Sequence, residues 1–181
     1  MKFIFQISLL ALLVLSACKS NQNNVIVPKS ETPEAQISKY ELGEIDLPII
    51  KREVNDYEQI FTTEQVENLT ILIREFEKET TNQIAIVTID SIGEYTDFDQ
   101  FAIDLSNYNG VGLSEKNNGL TFVFSKNLRR IRISTGIGTE KILTDEICQK
   151  IIDQIIIPEF KNGAYYIGTE NGLKELMSKW K

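Results

Sequence analysis

An α/β domain with a small mixed sheet is the fold class that this sequence predicts, on three observations. Gln83 to Ile89 (QIAIVTI) is apolar on both faces, the mark of an inner strand covered from both sides. Leu120–Phe124 and the alternating Arg130–Ser134 flank a polar break at Lys126 and Asn127, which is the pattern of a β-hairpin. Between the two, Phe98, Phe101, Ala102 and Leu105 recur at helical spacing. A strand, a helix and a strand in that order predict a right-handed parallel crossover, and the returning strand of the hairpin then runs antiparallel.

The chain has 181 residues, and three stretches follow one another. Residues 1–17 read as a signal peptide: Lys2 gives a positive start, Phe3–Leu15 is largely apolar, and the run is short for a membrane span. Leu15-Ser16-Ala17-Cys18 resembles the lipobox of bacterial lipoproteins, which implies that Cys18 becomes a lipidated N-terminus. Several acyl chains on one residue anchor stably. The expected location is therefore the cell envelope, on an outer membrane or a periplasmic face, and Lys19 rather than an Asp favours the outer membrane. Residues 18–52 read as the lipidated Cys and a tether, because Asn, Gln, Ser, Lys and Glu dominate and Pro28, Pro33 and Pro48 interrupt them. Residues 53–181 are the folded domain.

Within the domain, Thr62 and Gln65 form a capping-box pattern ahead of the stripe Val66, Leu69, Leu72, Ile73 and Phe76, and this helix should end by Thr80–Asn82. Asp97 or Asp99 caps the helix after the inner strand. Asn109-Gly110-Val111-Gly112 opens the loop into the hairpin. Thr144 and Asp145 begin a third helix, with acid at its positive end. Ile147, Cys148, Ile151, Ile152, Ile155 and Ile156 line its inner face, and Pro158 is expected to stop its regular course. Tyr166, Leu173, Leu176, Met177 and Trp180 mark a last helix. Tyr165, Tyr166 and Trp180 offer a binding surface as one reading, and helical spacing favours core packing for them.

Composition removes several functions. The formal charge is −7, and loss of Lys2 with the signal takes it to −8, which argues against nucleic acid. With no His in the chain, Ser-His and Cys-His couples and His-containing zinc sites are excluded. Cys148 is the one thiol left beside a lipidated Cys18, and it lacks the Arg of a Cys-x5-Arg phosphatase, since position 154 is Gln. Asp97-Phe98-Asp99 follows no apolar strand and reads as a helix cap rather than a phosphotransfer motif.

What remains is oxygen chemistry on loops. The hairpin brings the Ser114–Asn118 loop back beside Gly136–Asp145, and the Thr80–Asn82 turn lies at the same end of the sheet. Asn117, Asn118, Thr139, Glu140, Thr144 and Asp145 thus gather on one rim, an oxygen set suited to Ca²⁺, with Mg²⁺ as the alternative. The same residues also serve as turn formers and helix caps, and both readings stand at this point. Asp56 joins the rim if the extended residues 54–61 reach over, at ~3.3 Å per residue.

In order and spacing the motifs resemble the TPM domain family, found in bacterial exported proteins and in a chloroplast thylakoid-lumen protein linked to photosystem II repair. The residues that carry the resemblance are Val54-Asn55-Asp56, Thr80–Ile89, Gly110-Val111-Gly112, Asn118-Gly119-Leu120 and Arg132-Ile133-Ser134. They continue with Gly136-Ile137-Gly138-Thr139-Glu140, Leu143-Thr144-Asp145 and Pro158-Glu159-Phe160, with Gly163 and Tyr165. Tyr108-Asn109 departs from the family, which commonly has a Trp before the Gly. The resemblance implies a three-layer α/β/α sandwich of Rossmann-like type, divalent-metal binding, and acid-phosphatase activity in some members. It matches Asp56, Asn118, Glu140 and Asp145 to the family's recurring polar residues, which are the expected metal ligands.

Two functions follow as expectations. One is a lipid-anchored, Ca²⁺-binding module for envelope or membrane proteins, monomeric and without nucleic acid. The other is a metal-dependent phosphatase acting on phosphate monoesters, with Glu140 or Asp56 as base. Arg129, Arg130 and Arg132 are its clustered phosphate binders, two of them on a hairpin face expected to point away from the rim.

Overall fold

The computed structural model describes residues 47–181. The signal peptide, Cys18 and the tether up to residue 46 lie outside the described residues. Four strands form one sheet in the order β1-β2-β3-β4: β1 (Val54–Asp56), β2 (Gln83–Thr88), β3 (Gly119–Ser125) and β4 (Arg130–Thr135). β1, β2 and β3 run parallel, and β4 returns antiparallel to β3 as the hairpin pattern requires. β2 lies between β1 and β3, the inner place expected of Gln83–Ile89, and every residue of β3 is buried.

Period-2 alternation divides the sheet between two cores. Ile84 and Ile86 of β2, Leu120, Phe122 and Phe124 of β3, and Ile133 of β4 face one side. There they meet α1 (Thr63–Thr80), α4 (Asp145–Ile151) and α6 (Tyr165–Lys179). Val87, Ile89 and Val123 face the other side, against Phe98, Phe101, Ala102 and Leu105 of α2 (Phe98–Asn109). The result is the expected three-layer α/β/α sandwich. Since α1 and α2 lie on opposite faces while both crossovers advance the sheet in one direction, the two crossovers have opposite hands. The right-handed rule therefore holds for only one of them.

Local chemistry explains the helix ends. Thr62 accepts from Gln65 N while the Gln65 side chain accepts from Thr62 N, completing the capping box of α1, and Thr81 closes that helix in the left-handed region at φ 66°. Asp97, not Asp99, caps α2 by accepting from Asp99 N and Gln100 N, and those two bonds hold its carboxyl below the usual range.

Three expectations are corrected. Residues 47–52, read as tether, belong to the domain: Leu47 is buried against the α2 core, and the Asn109 side chain accepts from Ile50 N at 2.7 Å and donates to Pro48 O at 3.0 Å. The Gly136–Asp145 loop contains a short helix, α3 (Ile137–Glu140). The third helix leaves its regular course ahead of Pro158 rather than at it. A π-helical stretch, Ile152–Ile156, shifts the hydrogen-bond register ahead of it, with Ile157 N–H reaching Ile152 O, so that Pro158 opens α5 (Ile157–Lys161). A proline lacks the N–H that continues the ladder and its ring crowds the carbonyl four residues back, and the wider π register ahead of it accommodates both.

Candidate functional site

The three loops meet at one end of the sheet, as the hairpin demands. Asn117 O accepts from Gly138 N at 3.0 Å, Gly119 O accepts from Gly136 N at 2.9 Å, and Thr139 Oγ1 donates to Gly119 O at 3.0 Å. Asn118, a predicted metal ligand, is the tie between loops. Its Oδ1 accepts from Leu113 N at 2.9 Å, and its Nδ2 donates to Thr81 O at 2.8 Å and Asn82 Oδ1 at 3.2 Å. Buried and committed in this way, Asn118 holds the rim together without lining its cavity.

Asp56 is not on the rim. It pairs with Thr88 at the far end of β2, whereas Gln83 pairs with Gly119 at the rim end. Five strand residues at ~3.3 Å each place the two ends roughly 17 Å apart. The strand β1 runs parallel to β2, so its last residue cannot lie beside the first residue of β3. The Asp56 carboxylate instead accepts from Ile60 N at 3.0 Å, from Phe61 N at 2.8 Å and from the Thr88 hydroxyl.

Glu140 and Asp145 do converge. Both line a cavity of about 240 Å³ whose walls also include Thr121, Arg132 and Ser134 from the sheet and Ser106 and Asn107 from α2. The cavity exists because one helix covers this face, leaving the polar side of β4 partly open. Glu140 ends α3 and Asp145 begins α4, behind a Thr144 cap. Among the described residues neither carboxylate has a hydrogen-bond or ion-pair partner. Ser134, only 9% exposed, has an Oγ without a hydrogen-bond partner, and Arg132 Nε is likewise buried and unpartnered.

Arg132 is the residue that sequence reasoning undervalued. Strand alternation sends Ile131 and Ile133 to one core and Arg130, Arg132 and Ser134 to the α2 side. The period-2 signal was present, but which face carries the cavity was set by helix placement. Arg130 is drawn elsewhere, to Asp99 at 3.7 Å and the Phe98 ring. Cys148 supplies no nucleophile: burial, then the nearby Asp145 carboxylate, push its thiol up to about 11.

The donors fit a hard cation in type, since two carboxylates and hydroxyl oxygens are hard ligands. Among the described residues, however, no group of three or more His, Cys, Asp or Glu side chains could hold a metal. A cation at Glu140 and Asp145 would therefore keep much of its water, beside a guanidinium that favours an anion.

A family model described as TPM domain matches residues 54–179. A solved N-terminal domain of a protein from P. gingivalis is 31% identical, with TM-score 0.65 over 71% of this chain and 82% of that one. The structure from the psychrophilic bacterium Bizionia argentinensis is 19% identical, with TM-score 0.59, covering 69% of this chain and 88% of that one. The N-terminal domain of a protein from Corynebacterium glutamicum is 15% identical, with TM-score 0.56, covering 72% and 81%. The last two share the fold. No curated protein matches the chain.

Proposed function

The chain belongs to the TPM domain family, and from that premise we propose that it is a lipid-anchored, exported module that binds Ca²⁺ through Glu140 and Asp145. The observation that carries this reading is that two carboxylates without partners among the described residues line one cavity. Ser134 Oγ and Thr121 would add neutral oxygens, and Ca²⁺, which accepts irregular oxygen sets, is preferred over Mg²⁺, whose octahedron is strict. The cation would neutralise the two acids and present a charged, hydrated surface to an envelope or membrane protein.

Its test is a thermal melt of the full chain with EDTA, Ca²⁺ or Mg²⁺. At a hundredfold excess over its dissociation constant, Ca²⁺ should stabilise the fold by about 2.7 kcal/mol, a rise in Tm of roughly 10 °C for a domain of this size. Glu140→Gln and Asp145→Asn should each remove most of the rise. A melt indifferent to millimolar Ca²⁺ would return both residues to helix ends and caps.

Arg132 favours a second reading, hydrolysis of phosphate monoesters. Its guanidinium would hold phosphoryl oxygens, and Glu140 or Asp145 would accept the proton of an attacking water. A bound divalent cation would supply additional charge neutralisation at the phosphoryl group. With no activated side-chain nucleophile among the described residues, turnover is expected to fall below about 1 s⁻¹, the lower end for true enzymes. A faster rate, lost in Arg132→Gln with the melt unchanged, would replace the module reading by an enzyme.

The anchor is proposed from Leu15–Cys18 alone. Cys18→Ser should release the domain from the membrane fraction or leave its precursor unprocessed. Fractionation and processing identical to wild type would rule the anchor out.

A further inference from the structure

A second cavity lies at the other end of the hairpin. It is lined by Ser125 and Arg130 where the rim cavity is lined by Gly119 and Gly136, so six residues of β3 separate the two, roughly 20 Å. We propose that this cavity binds a small amphipathic organic anion, a flat or apolar body carrying a phosphonate, phosphate or carboxylate group.

Its rim is cationic. Lys126, Arg129, Arg130 and Lys161 line it, and no carboxylate does, in a chain whose formal charge is −7. Of these cations only Arg130 is compensated among the described residues, by Asp99 at 3.7 Å, while the Glu58 carboxylate accepts from the backbone amides of Lys126 and Asn127. Among the described residues, Lys126, Arg129 and Lys161 have no ion-pair partner. Three cations without an ion-pair partner around a concave surface favour an anion there.

Its floor is apolar. Ile131, Ile157, Phe160 and Tyr165 line it, the two ring centroids 4.9 Å apart. Tyr165 lies parallel to Phe124 of the core, with centroids 6.4 Å apart, so its ring is backed by packed side chains. Lys126 Nζ sits 5.7 Å from the Tyr165 centroid, which places a cation beside the ring. At about 510 Å³ the cavity falls within the size range of small-molecule sites, which combine an apolar lining with a few placed polar groups. A concave aromatic wall suits a discrete ligand better than a flat anionic bilayer.

Arg129 adds an independent observation. It ends the β3–β4 turn at φ 52°, a left-handed conformation that glycine adopts without cost. An arginine is held there against its own backbone preference while its side chain lines the cavity.

The experiment is calorimetric titration of the full chain with benzylphosphonate, which carries both features. Methylphosphonate carries the charge alone and benzyl alcohol the ring alone. Benzylphosphonate should bind at least about tenfold more tightly than either, since one charge-assisted contact set or one aromatic contact is lost in each control. Arg129→Gly and Lys161→Ala should each weaken it about tenfold or more, and Arg129→Gly should melt no lower than wild type. Glu140→Gln and Asp145→Asn should bind it as wild type does, which separates this site from the rim. Methylphosphonate binding equally well would reduce the site to a charge patch and overturn the proposal. Binding that survives both cation variants, or that is lost in Asp145→Asn, would also overturn it. Capture by anionic phospholipid vesicles without any response to benzylphosphonate would assign the surface to a membrane instead.

Discussion

Gly119→Ala should destabilise the domain by about 3 kcal/mol or more, at the upper end of overpacking substitutions. A Cβ at Gly119 would stand 1.9 Å from Val111 O and 2.4 Å from Val111 C. Both atoms are backbone, so no side-chain rotation relieves the clash. Nor is β3 free to withdraw. Gly119 pairs with Gln83 of β2, and its carbonyl accepts from Gly136 N and from Thr139 Oγ1. The loop from α2 and the rim would have to separate, and the Glu140–Asp145 cavity would open with them. The control is Gly110→Ala, where φ is +61° and nothing lies within 4 Å. That substitution meets conformational strain alone, about 1–2 kcal/mol. Urea unfolding of both variants measures the difference. Equal midpoints would mean that the loop does not press on β3 as the structure has it.

The sheet and helices were legible because each rests on a pattern that local sequence carries. QIAIVTI could only be a doubly covered strand, and RIRIS could only present its arginines on one face. The loops were legible because a hairpin must return to its origin. Three features were not, and each depends on a choice made at longer range. The π-helical stretch before Pro158 keeps Ile152 and Ile156 buried through a shift of register that no residue pattern announces. Leu47 joins the core because Asn109, where a Trp was expected from the family, reaches back to the Pro48–Ile50 backbone. Arg132 faces the cavity because α2 leaves that part of the sheet uncovered, and coverage is a property of the assembled layers. Even the opposite hands of the two crossovers follow from which face each helix chose.

Asp56→Ala should destabilise the domain by about 3 kcal/mol and leave the response to Ca²⁺ intact. Sequence reasoning could bring Asp56 to the rim by length alone, because an extended segment of this size reaches far enough. The sheet register forbids it. Paired with Thr88, Asp56 works as an acceptor that closes the turn into α1, satisfying Ile60 N, Phe61 N and the Thr88 hydroxyl. Thr88 is fully buried, its Oγ1 also accepts from Glu58 N at 3.1 Å, and among the described residues its proton has no acceptor besides the Asp56 carboxylate. Unsatisfied donors at partly buried sites each cost about 1–3 kcal/mol, and bonds to a charged acceptor lie at the higher end. Asp56→Asn keeps one acceptor oxygen and should fall between alanine and wild type. The decisive comparison is with Asp145→Asn under the same Ca²⁺ titration. Asp56→Ala should start from a lower Tm and rise with Ca²⁺ by as much as wild type, whereas Asp145→Asn should start near wild type and rise little. A folded Asp56→Ala protein that no longer responds to Ca²⁺ would put its carboxylate in the metal site and contradict the strand register.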